Sequence, residues 1–219
     1  WDCAGSVNGV HIYGDGQYNT RITLSTTSSP AFKIHCSGGV SSSSQVNLYY
    51  SNFHDFGIYT NLSGTGVEIG DRNLSSAVGS TVFENMLFLN SNTTAAAGSV
   101  SCRINQTFSV KWKNCVYGNY ATPAPSVVVA GTALMIVGAT FNVFDMCSIG
   151  NATTAVAITQ AENEAYQGFA YGNTFICPDL ENYHHGFKNS TARASQNTVI
   201  SGQFFSYLDT GADFWSSAK

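Results

Sequence analysis

Charged side chains are scarce in this sequence. Lysine, arginine, aspartate and glutamate make up 10% of its 219 residues, against about 25% in an average soluble protein. Nine basic residues face 13 acidic ones, for a net charge of −4, with no basic run. The electrostatic footprint of a nucleic-acid binder is therefore missing. Long apolar runs are missing too. The stretches at residues 126–130 and 133–139 are split by Gly131 and Thr132 and fall short of the ~18 residues that span a membrane, so no membrane insertion is expected. There are only four prolines and six cysteines, and no two cysteines stand in a Cys-x-x-Cys spacing. That excludes a disulfide scaffold and a structural zinc site, and no metal or cofactor is expected. Apolar residues spaced by 3.6 positions are also hard to find, which argues against helix.

What the sequence does have is asparagine (19), glycine (21), serine and threonine, together with 14 Phe, 11 Tyr and 3 Trp. Short alternating runs rich in Val, Ile, Phe and Tyr recur throughout, punctuated by Gly, Asn and Ser, and this reads as all-β. The runs also resemble one another. Residues 48–55, 82–88, 111–117, 143–149, 170–176 and 194–200 can be written in one register, with successive spacings of 33, 29, 32, 27 and 24. An aromatic opens most copies (Tyr50, Phe83, Trp112, Phe144, Tyr171; Ser195 in the last). Two positions later stands Asn52, Asn85, Asn114, Asn173 or Asn197, with Met146 the exception.

Inward positions of a strand recur every two residues, but here the aromatic and the next inward residue are three apart, so the chain must bend between them. Asparagine tolerates the left-handed conformation that a sharp corner requires. A repeat of about 24–33 residues made only of strands and turns fits one coil of a right-handed parallel β-helix. A propeller blade would need ~40–45 residues. The whole chain, 1–219, is read as one such domain. Neither end carries a polar cap, so it is expected to be part of a longer chain.

The phrases from Gly9 to Gly16 (GVHIYGDG) and from Gly64 to Gly70 (GTGVEIG), with the Phe-x-Asn-x-x-Phe/Ile corners, resemble the parallel β-helix domains of bacteriophage tailspikes and neck appendages. The polygalacturonase motifs of the same fold are missing apart from His185-Gly186. The resemblance implies a homotrimer on the virion, at the phage tail, acting extracellularly on a bacterial surface polysaccharide that it binds and often cleaves. A non-catalytic structural or adhesive solenoid and a polysaccharide lyase are the alternatives.

Hydrolysis of a glycosidic bond needs two carboxyl groups, one of them with a raised pKa. One source is the column before the bend, Ser51, Glu84, Lys113, Asp145, Gly172 and Gln196, whose alternating signs read as a surface ion ladder of little worth. The other is loops. Residues 161–168 bring Glu162 and Glu164 together by alternation, and residues 178–186 add Asp179 and Glu181, making these four the candidate catalytic carboxylates. Tyr183, His184 and His185 stand beside them as candidate substrate-binding groups, and Asp55 and Asp71 could hold sugar hydroxyls. An eliminating mechanism would instead use Tyr183 or His184 as base, with Lys188 or Arg193 neutralising the charge that develops.

Overall fold

The computed structural model describes residues 2–26, 28–37, 46–71, 76–91, 99–119, 131–159, 170–189, 194–205 and 213–217. These residues wind into successive coils. The first coil holds β1 (Asp2–Ala4), β2 (Val7–Asn8), β3 (His11–Tyr13) and β4 (Arg21–Leu24). The second repeats this as β5 (Phe32–Ser37), β6 (Val46–Tyr49), β7 (Asn52–His54) and β8 (Gly57–Thr60). The third holds β9 (Thr65–Ile69), β10 (Ser76–Gly79), β11 (Val82–Glu84) and β12 (Leu87–Asn90). The fourth holds β13 (Val100–Asn105), β14 (Thr107–Phe108), β15 (Lys111–Lys113) and β16 (Val116–Asn119). Beyond it come β17 (Thr132–Val137), β18 (Val143–Asp145), β19 (Ser148–Thr159), β20 (Ala170–Tyr171), β21 (Thr174–Ile176) and β22 (Asp179–Asn189). The chain ends with β23 (Ala194–Ser195), β24 (Thr198–Ile200), β25 (Gln203–Phe205) and β26 (Asp213–Ser217).

Each strand pairs in parallel with its equivalent one coil away, so the molecule is an all-β parallel β-helix with four faces. We number the faces in the order in which the first coil meets them. In the later coils β19 and β22 run unbroken from the fourth face into the first, turning at Asn151 and Asn182, both with positive φ.

Two corners set the geometry of the third face. Tyr50, Ser80, Ser109, Phe141, Gly172 and Gln196 enter it with positive φ, and five residues later Asp55, Asn85, Asn114, Met146, Cys177 and Ser201 leave it with positive φ. This corrects the single register read from the sequence. Asn85 and Asn114 do stand at a bend, but the copies around Tyr50, Tyr171 and Ser195 belong to the corner before the third face. Both corners need the same backbone conformation and lie only a three-residue strand apart, so their residue patterns are easily confused. The true aromatic column is Phe53, Phe83, Trp112, Phe144 and Phe175. Likewise the outward column of the third face runs through His54, Glu84, Lys113, Asp145, Ile176 and Ile200. Ser51 is buried instead, and Gly172 and Gln196 form part of the other corner. Equivalent residues lie 41, 30, 29, 32, 31 and 24 positions apart. The first coil thus exceeds the expected length, in part because residues 14–20 intervene between β3 and β4.

The core is a stack of rings. Phe53–Phe83, Phe83–Trp112, Trp112–Phe144 and Phe144–Phe175 lie 5.0, 4.3, 5.8 and 4.5 Å apart with interplanar angles of 10° or less. Phe88 and Tyr117 form a second stack that meets the first edge-on. Four cysteines, Cys36, Cys102, Cys115 and Cys147, are buried free thiols of the same core, packed as small hydrophobes.

Just inside the corner before the third face runs a ladder of buried amides. Asn173 Oδ1 accepts from Asn142 N (3.1 Å) and Nδ2 (3.0 Å), while Asn173 Nδ2 donates to Ala139 O and Asn197 Oδ1, each at 2.9 Å. Replacing Asn173 by Ala strands several buried donors and acceptors at once, each worth roughly 1–3 kcal/mol when left unsatisfied. Asn173→Ala is expected to lower the unfolding free energy by about 3 kcal/mol or more in equilibrium urea denaturation. Asn114→Gly is the contrasting case, because the Asn114 amide bond to Asn85 is exposed and 3.3 Å long, and φ is 48°. Glycine accepts that φ freely, so the expected change is within about 0.5 kcal/mol.

Candidate functional site

The outer surface of the fourth face carries a groove of about 560 Å³. Two outward columns of this face run along it: Arg21, Gly57, Leu87, Val116, Ser148 and Asp179, and beside it Thr23, Tyr59, Leu89, Gly118, Gly150 and Glu181. All but Gly57, Thr23 and Asp179 line the groove, and Asp179 follows Ser148 in register at its rim. Gly150 is required there, and Gly118 sits in a tight place. A Cβ on Gly150 would sit 2.0 Å from the Glu181 carbonyl oxygen, and one on Gly118 would sit 3.1 Å from that of Gly150. The middle of the groove is therefore lined by glycine backbone and by Leu87 and Leu89, all of them buried, and its two ends carry the chemistry.

At one end Arg21 Nε donates to the Tyr18 carbonyl at 3.0 Å, and its guanidinium lies 5.1 Å from the centre of the Tyr59 ring. At the other end Asp179 and Glu181 stand two residues apart on β22, and so on the same face of the strand. Burial raises the pKa of the Asp179 carboxyl, and its Oδ1 is buried with no hydrogen-bond partner among the described residues. Burial also raises that of Glu181, and the neighbouring Asp179 charge adds to the effect. Two neighbouring carboxyl groups that both resist ionisation can divide the roles of proton donor and acceptor. No group of His, Cys, Asp and Glu among the described residues is arranged to hold a metal.

The other expected residues are scattered. Glu162 and Glu164 lie outside the described residues, as does Arg193. Tyr183 packs in the hydrophobic core, and burial raises its pKa. His184 and His185 follow it on β22, past the Asn182 corner, and are half-buried. Asp55 sits at a corner, where its Oδ2 meets His54 Nδ1 at 2.6 Å and its Oδ1 accepts from Asn85 Nδ2 at 2.8 Å. The bond from His54, then that from Asn85, holds its pKa below the usual value. Asp71 belongs to a mixed cluster on the first face: Lys33 Nζ lies 3.1 Å from Asp71 Oδ1 and 3.2 Å from the fully buried Glu68, with Arg103 next in register.

Sequence reasoning missed Tyr18, Arg21, Tyr59, Gly118 and Gly150. One signal was available: Tyr117-Gly118-Asn119 and Ile149-Gly150-Asn151 are the same phrase, a ring or branched residue followed by Gly-Asn.

No family model matches the sequence, and no curated protein sequence does. Solved structures share the fold. The ORF18 protein of Geobacillus virus E2 superposes with a TM-score of 0.55 at 12% identity, covering 96% of this chain and 36% of that one. The A-module of a mannuronan C-5 epimerase from Azotobacter vinelandii superposes with a TM-score of 0.50 at 7% identity, covering 99% of this chain and 59% of that one. This chain thus spans less than two thirds of the length of either.

Carboxyl titrations followed by carbon NMR check the electrostatics of the site. Asp55 is expected to titrate below 3.8, and Asp179 and Glu181 above 3.8 and 4.5 respectively. Asp179→Asn removes a neighbouring negative charge and should move the Glu181 midpoint down; Asp55→Asn should leave it in place.

Proposed function

We propose that this chain is the polysaccharide-engaging part of a phage tailspike-type protein and that it hydrolyses a bacterial surface glycan in the groove of the fourth face. The carboxyl pair at one end of a long, glycine-floored groove carries this reading. The Cα atoms of alternate strand residues lie about 6.6 Å apart, a backbone spacing from which Asp and Glu side chains can reach the ~6.5–9.5 Å carboxyl separation at which a water fits in an inverting glycosidase. The Asp179 charge helps to hold the Glu181 proton, so we assign Glu181 as the general acid for the leaving oxygen and Asp179 as the base for the water. The tyrosines at the far end offer flat faces with polar edges, on which sugar rings stack.

The likeness to a viral protein supports a place on a virion, and the alignment to only part of each neighbour fits a unit of a longer chain. A trimer is supported by the surface: Tyr13, Tyr50, Phe141, Met146 and Ile200 are each at least half exposed, and all lie on the third face or its two corners. Sedimentation equilibrium should return three times the chain mass, and a single-chain mass overturns the trimer.

Reducing-end release from purified host polysaccharide tests the enzyme. Glu181→Gln and Asp179→Asn should each cost about 10²- to 10⁴-fold in rate, with the product anomer inverted. The rate should rise with pH as Asp179 ionises and fall as Glu181 loses its proton, with both limbs displaced above the ordinary carboxyl values of 3.8 and 4.5. Absence of cleavage leaves the adhesive solenoid, and an unsaturated, ultraviolet-absorbing product establishes the lyase.

A further inference from the structure

Arg21 is held in a way that leaves its charge unanswered. Its Nε is committed to the Tyr18 carbonyl and its plane to the Tyr59 ring, and among the described residues it takes part in no ion pair. Lys33 and Lys113, by contrast, each face a carboxylate within 4 Å. Of the five N–H donors of a guanidinium, those on the two Nη atoms remain for a ligand. The ring and the carbonyl fix their direction, so little side-chain entropy is left to lose on binding. A fork oriented in this way fits a carboxylate bidentately.

The other end of the groove has the opposite character. Asp179 and Glu181 point outward two positions apart and make no ion pair among the described residues, and an anionic sugar placed over them would meet like charge. Arg21 and Asp179 occupy one column, five coils apart, which is about 24 Å at ~4.8 Å per coil. The groove is therefore polar in the electrical sense, with a cation at one end, apolar and backbone floor between, and acids at the other end.

We infer that the groove selects an acidic heteropolysaccharide, seating a carboxylate-bearing sugar on Arg21 and Tyr59 and a neutral sugar over Asp179 and Glu181. This rests on the reading of the groove as a saccharide site and adds the class and the direction of its ligand. A glycan charged at every sugar is a poor fit, because the acid end rejects it. A neutral glycan is a poor fit because it leaves the guanidinium fork unused.

Calorimetric titration of the whole chain separates these cases with three probes. They are a hyaluronan octasaccharide, in which charged and neutral sugars alternate; its carboxyl-reduced neutral counterpart; and octagalacturonate, charged throughout. The hyaluronan octasaccharide should bind tightest. Arg21→Gln should weaken it roughly 10- to 100-fold, the range for a charge-assisted hydrogen bond, and should leave the neutral counterpart unchanged. Arg21→Lys, which keeps the charge but loses the fork, should recover only part of the loss. Octagalacturonate should bind weakly and gain affinity in the Asp179→Asn, Glu181→Gln double variant. Arg21 is exposed, so melting temperatures of its variants should match the parent and exclude misfolding. Equal binding of charged and reduced octasaccharides, or indifference to Arg21→Gln, overturns the anion subsite while leaving the groove a saccharide site. No binding of any probe at millimolar concentration, in parent or variants, overturns both.

Discussion

Stacking of parallel coils at about 4.8 Å is the constraint on which the rest of the structure depends. It places each side chain directly over its equivalent in the next coil, so every position has to be compatible with a copy of itself. Planar rings satisfy this by lying face to face, as from Phe53 to Phe175. Amides satisfy it because each has a donor and an acceptor, so that Asn142, Asn173 and Asn197 link into a chain. Glycine satisfies it by having nothing to collide. A charge cannot satisfy it, and the low charged fraction follows. Where charges do occur in a column they alternate, as Lys33, Glu68 and Arg103 do on the first face and Glu84, Lys113 and Asp145 on the third.

This constraint made the architecture legible in the sequence. Scarce charge, abundant asparagine and glycine, and an aromatic-x-Asn phrase recurring about every 30 residues lead to a solenoid without knowledge of any contact. Register was harder to read. Tyr50-Ser51-Asn52 and Tyr171-Gly172-Asn173 match Phe83-Glu84-Asn85 in letters but occupy a different corner. A left-handed residue followed by a buried amide and a residue before a left-handed amide look alike in one dimension. Only the hydrogen bonds separate them, because the Asn173 side chain satisfies buried groups whereas that of Asn85 reaches Asp55 at the surface.

The candidate site was half legible for a related reason. Asp179 and Glu181 are neighbours along the chain, and strand alternation alone puts them together. Arg21 and Tyr59 meet the same groove from coils far upstream, and their alignment depends on the lengths of intervening loops, which vary from coil to coil. The 41-residue first coil hides Arg21 from any search that uses the regular period. Gly118 and Gly150 were within reach, since the phrase repeats, but a glycine followed by asparagine also reads as an ordinary turn.

The fourth face differs from the charged columns just named. In the Lys33–Glu68–Arg103 column of the first face and the Glu84–Lys113–Asp145 column of the third, a charge is met by its opposite one coil away, so the field there largely cancels within the protein. Arg21 is followed in its column by Gly57, and Glu181 is preceded by Gly150, so neither finds a partner across the stack. The compensation is displaced by several coils, too far for the two ends to neutralise each other directly. A solenoid can keep such a separated pair because its rigid stack prevents the ends from collapsing together, which a globular loop could not do. The stacking that makes charge costly elsewhere thus holds apart the two charged ends that a long ligand can bridge, and local violation of an otherwise consistent design is where function is to be sought.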